Sequence, residues 1–264
     1  MILAIDVGNT NIVFGCIKDG EILNIFRIHS DDRQTGMEYA VKLHEIFAIS
    51  GINTNEIDGA ILSSVVPQLT IAIAEAVKLV TGIKCAVVAA GMKTGLNVCI
   101  DDPGTLAADL VVGSVAAMQC YGTPCIVIDM GTATTIVAID DKKRYLGGAI
   151  IPGVNLSYSA LASGTSLLPH ISITPPSKAI ATNTVDSMKS GAVFGTAAMI
   201  DGMIDRFEAE LGVKCAVVAT GGLASSVVNC CTHEIICDDN LLLKGLWALY
   251  LKNKAVPHNG AKEA

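Results

Sequence analysis

Two short stretches of this sequence carry side chains in an order suited to phosphate chemistry. Asp6-Val7-Gly8-Asn9-Thr10-Asn11 and Asp129-Met130-Gly131-Thr132-Ala133-Thr134 each follow an apolar run and open with Asp-x-Gly. Glycine lets the backbone approach a phosphate, while small hydroxyl and amide side chains add donors beside the backbone N–H groups. A carboxylate repels phosphate, so the natural partner of Asp6 or Asp129 is a cation or a water bound to one. A third turn, Thr220-Gly221-Gly222, suits a flat base or ribose lying against backbone. Either Asp-x-Gly alone is also an ordinary hairpin turn. Two copies, one per half and each after a strand, point to one nucleotide clamped between two domains.

A further carboxylate stands apart. Between Pro103 and Ile139 the only charged residues are Asp109 and Asp129. Asp109 lies in TLAADLVVGSVAAMQ, a helical run with almost no polar face, where an unpaired carboxylate is costly or has its pKa raised. One reading is a cap for nearby backbone groups at the helix start. The other is a general base at the interdomain cleft, taking a proton from a hydroxyl acceptor. Asp101-Asp102-Pro103 forms a turn that would aim the helix N-terminus at an anionic group.

The elements that must position these residues follow an α/β pattern written twice. Residues 4–23 (AIDVGNTNIVFGCIKDGEIL) and 127–146 (VIDMGTATTIVAIDDKKRYL) match at an offset of 123, each reading as a hairpin with a polar tip. Helical spacing follows over 37–49 and 68–80, with strands at 59–64 and 84–89. In the second half a helix is predicted over 185–211, strands at 214–219 and 233–237, and a last helix over 240–253. The tail from Ala255 is polar and expected to fray. A second echo, 82–91 against 212–221, conflicts with the element order, which pairs 215–221 with 59–65. The expected domains are 1–115 and 116–264.

Bulk properties narrow the function. Hydrophobic residues make up 51 % and charged residues 16 % of 264, enough for a large core. A net charge of −7 with only four arginines argues against a nucleic-acid surface, which needs a basic stripe. Apolar runs are interrupted well short of the roughly 20 residues of a membrane span. The start, Met-Ile-Leu-Ala-Ile-Asp, lacks the basic region of a signal peptide. Nine cysteines without a CxxC pair read as reduced, mostly core residues of a cytoplasmic protein.

The order of motifs resembles the type III pantothenate kinases along nearly the whole chain. It is carried by DVGNTN (6–11), DMGTATT (129–135), GGAIIPGV (147–154), SGTSLLP (163–169), NT (183–184), SGAVFG (190–195) and ATGGLA (219–224). The resemblance implies duplicated ribonuclease-H-like, actin-like domains with mixed five-stranded sheets flanked by helices, and a homodimer. It implies ATP with Mg2+, a monovalent cation (K+ or NH4+), and phosphorylation of pantothenate to 4′-phosphopantothenate, the first step towards coenzyme A. On this basis Asp6, Val7, Gly8, Asn9, Thr10, Asn11, Ile12 and Val13 would bind ATP, with Thr132, Gly221 and Gly222. Asp6 would meet magnesium through water and Asp129 would hold the monovalent cation. Asp109 would be the proton acceptor, with Ile100, Ala107, Ala108, Leu110, Thr165 and Thr184 lining the acceptor.

The departures from the family pattern gather at that acceptor. Where the family has Gly-x-Asp-Arg, this chain has Ala107-Ala108-Asp109-Leu110, and Ile100 replaces a tyrosine. His170 stands for an arginine, and Ala181-Thr182 for Gly-Lys. Leucine offers no donor in place of a guanidinium, a loss of about 1.5–3 kcal/mol of acceptor binding if nothing replaces it. Two alternatives therefore accompany the pantothenate reading: a kinase for a more apolar hydroxylated molecule, and a nucleotide-binding regulator without turnover.

Overall fold

The computed structural model describes residues 1–254, and its first thirty residues show why the chain begins as a ribbon. Strands β1 (Ile2–Val7), β2 (Asn11–Lys18) and β3 (Glu21–His29) are joined by a polar tip and by the two-residue turn Asp19-Gly20, both residues at positive φ. Helix α1 (Gly36–Ile49) starts at a Thr35–Glu38 capping box. Strand β4 (Gly59–Ser64) leads to α2 (Pro67–Thr81), which has Pro at its first turn and a left-handed Gly82 at its end. Strand β5 is only Ala86–Val87, shorter than the expected 84–89, and completes a sheet of order β3-β2-β1-β4-β5.

Alternation along β1 divides its side chains between two cores. Leu3, Ile5 and Val7 face α1 and α2, meeting Tyr39, Leu43, Phe47, Leu69 and Ile73. Each such fully buried side chain contributes about 1.5–3 kcal/mol. Ile2 and Ala4 face the other way, with Ile17 and Ile61.

The chain continues with β6 (Asn97–Val98), α3 (Ala108–Cys120), β7 (Cys125–Met130), β8 (Ala133–Ile139) and β9 (Arg144–Pro152). Helices α4 (Val154–Ser163) and α5 (Thr184–Ser190) follow, then a π-helical turn, Gly191–Gly195, and α6 (Thr196–Leu211). Strand β10 (Ala216–Thr220), α7 (Ala224–Val228), β11 (Ile236–Cys237) and α8 (Leu241–Lys254) end the described chain. The predicted single helix over 185–211 is thus interrupted by the π turn.

The second sheet runs β11-β10-β7-β8-β9-β6. Its first five strands repeat the first sheet in type and order, with β10 in the place of β4, as the element order required. The sixth corrects the five-strand expectation: β6 pairs parallel with Arg144 and Tyr145 at the β9 edge. The core packs Ile126, Ile128 and Ile136 against Ala197, Ile200 and Ile204 of α6.

Two compact units result. One comprises Met1–Gly95, Gly104–Ala116 and the C-terminal segment from Leu242; the other comprises Leu96–Pro103 and Ala117–Leu241. They differ from the contiguous halves 1–115 and 116–264 at two places. Leu96–Pro103 joins the second unit because β6 pairs there. Helix α8 joins the first because Leu243, Leu246 and Leu249 fill the core formed by Ile2, Ala4, Ile61, Val112 and Val115. The tail from Ala255 lies outside the described residues. No described helix is long and apolar enough to cross a membrane. The cysteines are less uniformly internal than expected: 16, 85 and 125 are buried, whereas 99, 120 and 237 are exposed.

Candidate active site

In the first unit, β1 and β2 stay paired as far as Val7 and Ile12, leaving 8–11 as the tip. The Gly8 N–H donates to the Asn11 carbonyl at 3.0 Å. Ser30, just beyond β3, fastens the tip twice: its N–H donates to the Thr10 carbonyl at 2.9 Å and its Oγ to the Gly8 carbonyl at 2.6 Å. Asn9, Thr10 and Asn11 are left exposed, Ile12 is buried and Val13 half-buried. Asp6 is half-buried and shares the face of Ile2 and Ala4, opposite Ser63 in the parallel β1–β4 register.

That same face receives α3. Ala108, Val112 and Val115 pack on it, and Asp109 sits in the helix's first turn, flanked by half-buried Ala107 and Leu110. Burial pushes the Asp109 carboxyl above its ordinary range, opposed by the N–H groups of Leu110 and of Asp109 itself. The Leu110 N–H donates to Asp109 Oδ1 at 2.7 Å. That bond favours the charged carboxylate, and burial outweighs it.

In the second unit, β7 and β8 pair as far as Met130 and Thr134, so the tip is Gly131–Ala133. Here the Gly131 N–H donates to the Ala133 carbonyl at 3.0 Å, and the Gly153 N–H to the Thr132 carbonyl at 3.1 Å. Thr220 is the register partner of Asp129, so β10 delivers Gly221 against the backbone of Met130. At φ +99°, with Met130 atoms 2.6–2.7 Å from where a Cβ would stand, position 221 admits only glycine. Asp129, Thr132, Gly221 and the following Gly222 thus gather at one end of the second sheet.

The expected acceptor residues of this unit are more scattered. Ile100 packs near Gly147 of β9. Thr165 follows α4, exposed, its Oγ1 donating to the Leu161 carbonyl at 2.9 Å. Thr184 opens α5, behind the cap in which Asn183 accepts the Asp186 N–H. His170 and Thr182 are exposed and Ala181 half-buried.

The residues present suit the groups that the sequence implies. The first tip leaves Asn9, Thr10 and Asn11 exposed and the second leaves Thr132 exposed, small polar side chains of the kind that bind phosphate oxygens. Asp6 brings a hard oxygen ligand, and beside it the fully buried Ser63 Oγ has no hydrogen-bond partner among the described residues. Asp205, Glu208 and His233 form a different cluster of metal-capable side chains, but Glu208 pairs with Lys214 at 2.5 Å and His233 Nε2 with Asp205 Oδ1 at 3.0 Å. The sequence alone assigns Ser63 no role, and Gly153 none beyond its place in the motif at 147–154. Their only signals were a serine pair closing an apolar strand and Pro-Gly closing another.

Comparison with known proteins fits this arrangement. The type III pantothenate kinase profile matches residues 2–206. The type III pantothenate kinase of Halalkalibacterium halodurans is 40 % identical over 253 residues, spanning 96 % of this chain and 100 % of that protein. Among solved structures, a Campylobacter jejuni protein assigned to the Baf family of transcriptional activators superposes with a TM-score of 0.60 at 21 % identity, covering 97 % of this chain and 100 % of its own. The activator of 2-hydroxyisocaproyl-CoA dehydratase from Clostridium difficile, solved with ADPNP, gives 0.52 at 14 % identity, covering 100 % and 99 %. The two structures share the fold, duplicated and actin-like. The profile and the relative go further, and the chain belongs to the type III pantothenate kinase family.

Proposed function

We propose that this protein transfers the γ-phosphoryl group of ATP to the primary hydroxyl of pantothenate, giving 4′-phosphopantothenate and ADP. The observation that carries the reading is Asp109, a proton-avid carboxyl in the first turn of α3, on the sheet face that also carries Asp6. Asp109 accepts the hydroxyl proton as the hydroxyl oxygen bonds to the γ-phosphorus, and the bond to the β–γ bridging oxygen breaks. The tip 8–11 and Thr132 hold phosphate oxygens, with Gly221 and Gly222 against the nucleoside. Asp6 would hold magnesium through water, and Asp129 would hold the monovalent cation. Magnesium, when bound, neutralises charge on the triphosphate. The enzyme works as a cytoplasmic homodimer.

A second acceptor class is favoured by one observation. Leu110 and Ile100, both apolar, stand at positions where the family carries an arginine and a tyrosine. A hydroxylated molecule lacking pantothenate's carboxylate would suit those side chains better.

ADP release with ATP, magnesium and potassium or ammonium, with and without pantothenate, tests both. Asp109→Asn is expected to lower pantothenate-dependent turnover by about 10²–10⁴-fold. Release only with other acceptors moves the substrate, and nucleotide binding without any turnover removes the kinase reading. Because the folded Asp109 pKa is raised, the neutral acid is favoured in the fold, and its stabilisation is lost as pH rises through the folded pKa. The acid limb of turnover should therefore lie above the ordinary aspartate range. Asp109→Asn should melt higher than the parent at neutral pH.

A further inference from the structure

Ser63 stands at the end of β4, level with Asp6 in the parallel register. Such neighbours lie about 4.8 Å apart with side chains on the same face. Ser63 is fully buried, and its Oγ has no hydrogen-bond partner among the described residues. Its surroundings on that face are apolar: Ile61 below it, Val88 on the β5 side, and Val112, Val115 and Leu246 over the sheet. A hydroxyl in this position has given up water without a replacement. Asp6 is the acceptor that the register sets beside it.

We infer that Ser63 is a positioning residue for the metal–nucleotide complex, an inference that rests on the assignment of Asp6 above. When hydrated magnesium and nucleotide are bound, the Ser63 hydroxyl donates to one carboxylate oxygen of Asp6. The other oxygen is then turned toward the ion's water.

The test uses Mn2+ as a paramagnetic stand-in for magnesium and a non-hydrolysable ATP analogue, read by electron paramagnetic resonance and by thermal unfolding. In Ser63→Ala, Mn2+ affinity in the presence of the analogue should fall about tenfold or more. Analogue affinity in EDTA should not change, and the free protein should melt at the parent temperature or above. Ser63→Thr, which keeps the hydroxyl, should restore Mn2+ affinity. Should the alanine variant fail to fold, Ser63→Cys, close in volume and a weak donor, should show the same loss. Parent-like Mn2+ affinity in a folded alanine or cysteine variant overturns the inference. So does a lower melting temperature of free Ser63→Ala, since the hydroxyl would then already be in use. A parent protein that binds no nucleotide overturns the Asp6 assignment itself, a result distinct from parent binding with an unaffected variant.

Discussion

The two ribbons, β1–β2–β3 and β7–β8–β9, are the same device built with different tolerances. Strands β1 and β7 share one burial pattern, four buried residues, a half-buried aspartate and a buried residue. Both middle strands shift register at the same place, between Cys16 and Ile17 and between Ala138 and Ile139. The tips differ in length, 8–11 against 131–133. The outer turns differ in the opposite sense: Ile17 pairs with Ile22, but Ile139 pairs with Tyr145. The numbering offset therefore runs 123, 122 and 123 across the three strands. One residue lost at the tip is restored at the outer bend, which is why the sequences look aligned throughout.

The shorter tip has a consequence for what holds it. Ser30 and Gly153 occupy the same place, one residue beyond the third strand, and both donate their N–H to a tip carbonyl. In the first ribbon there is room for a side chain, and Ser30 uses it to reach the Gly8 carbonyl. In the second, a Cβ on residue 153 would stand 2.5 Å from the Gly131 carbonyl oxygen and closer still to that of Thr132. The first tip is tethered by a hydroxyl; the second is wedged by backbone.

Substitutions can break that contrast. Gly153→Ala should be the most damaging, because the crowding atoms are backbone and must move. A loss of about 1–3 kcal/mol in chemical denaturation is expected, together with weakened nucleotide binding as Thr132 is displaced. Gly20→Ala comes next, since φ +88° strains any side chain. It should lower stability by about 1–2 kcal/mol yet leave nucleotide affinity alone, the outer turn being at the other end of the ribbon. Ser30→Ala should be mildest, about 0.5–1.5 kcal/mol for one hydrogen bond, with a modest loss of nucleotide affinity. Equal costs for Gly153→Ala and Ser30→Ala in denaturation would erase the distinction between wedge and tether.

Much of this was legible in the residues. The Asp-x-Gly pair, the capped apolar faces of α1 and α2, and the strand after each helix are local signals, and local signals survive in sequence. Asp109 announced itself as the one carboxylate in a long apolar stretch. What stayed hidden depends on partners distant in the chain. β6 is two residues whose identity as a strand comes only from the β9 edge beside it. The leucines of α8 form an apolar stripe, and a stripe does not name the sheet it will cover. Gly153 reads as a loop residue until the shortened tip makes it a steric requirement. Ser63 reads as a polar strand end until the register sets it beside Asp6.

Helix α8 also fixes an order of assembly. The first sheet is made by residues 2–87, yet one of its two faces awaits Leu243, Leu246 and Leu249. Until those leucines are made, that face has only α3, through Val112 and Val115, to cover it. The first sheet is therefore closed on that side only by residues far along the chain from its own strands.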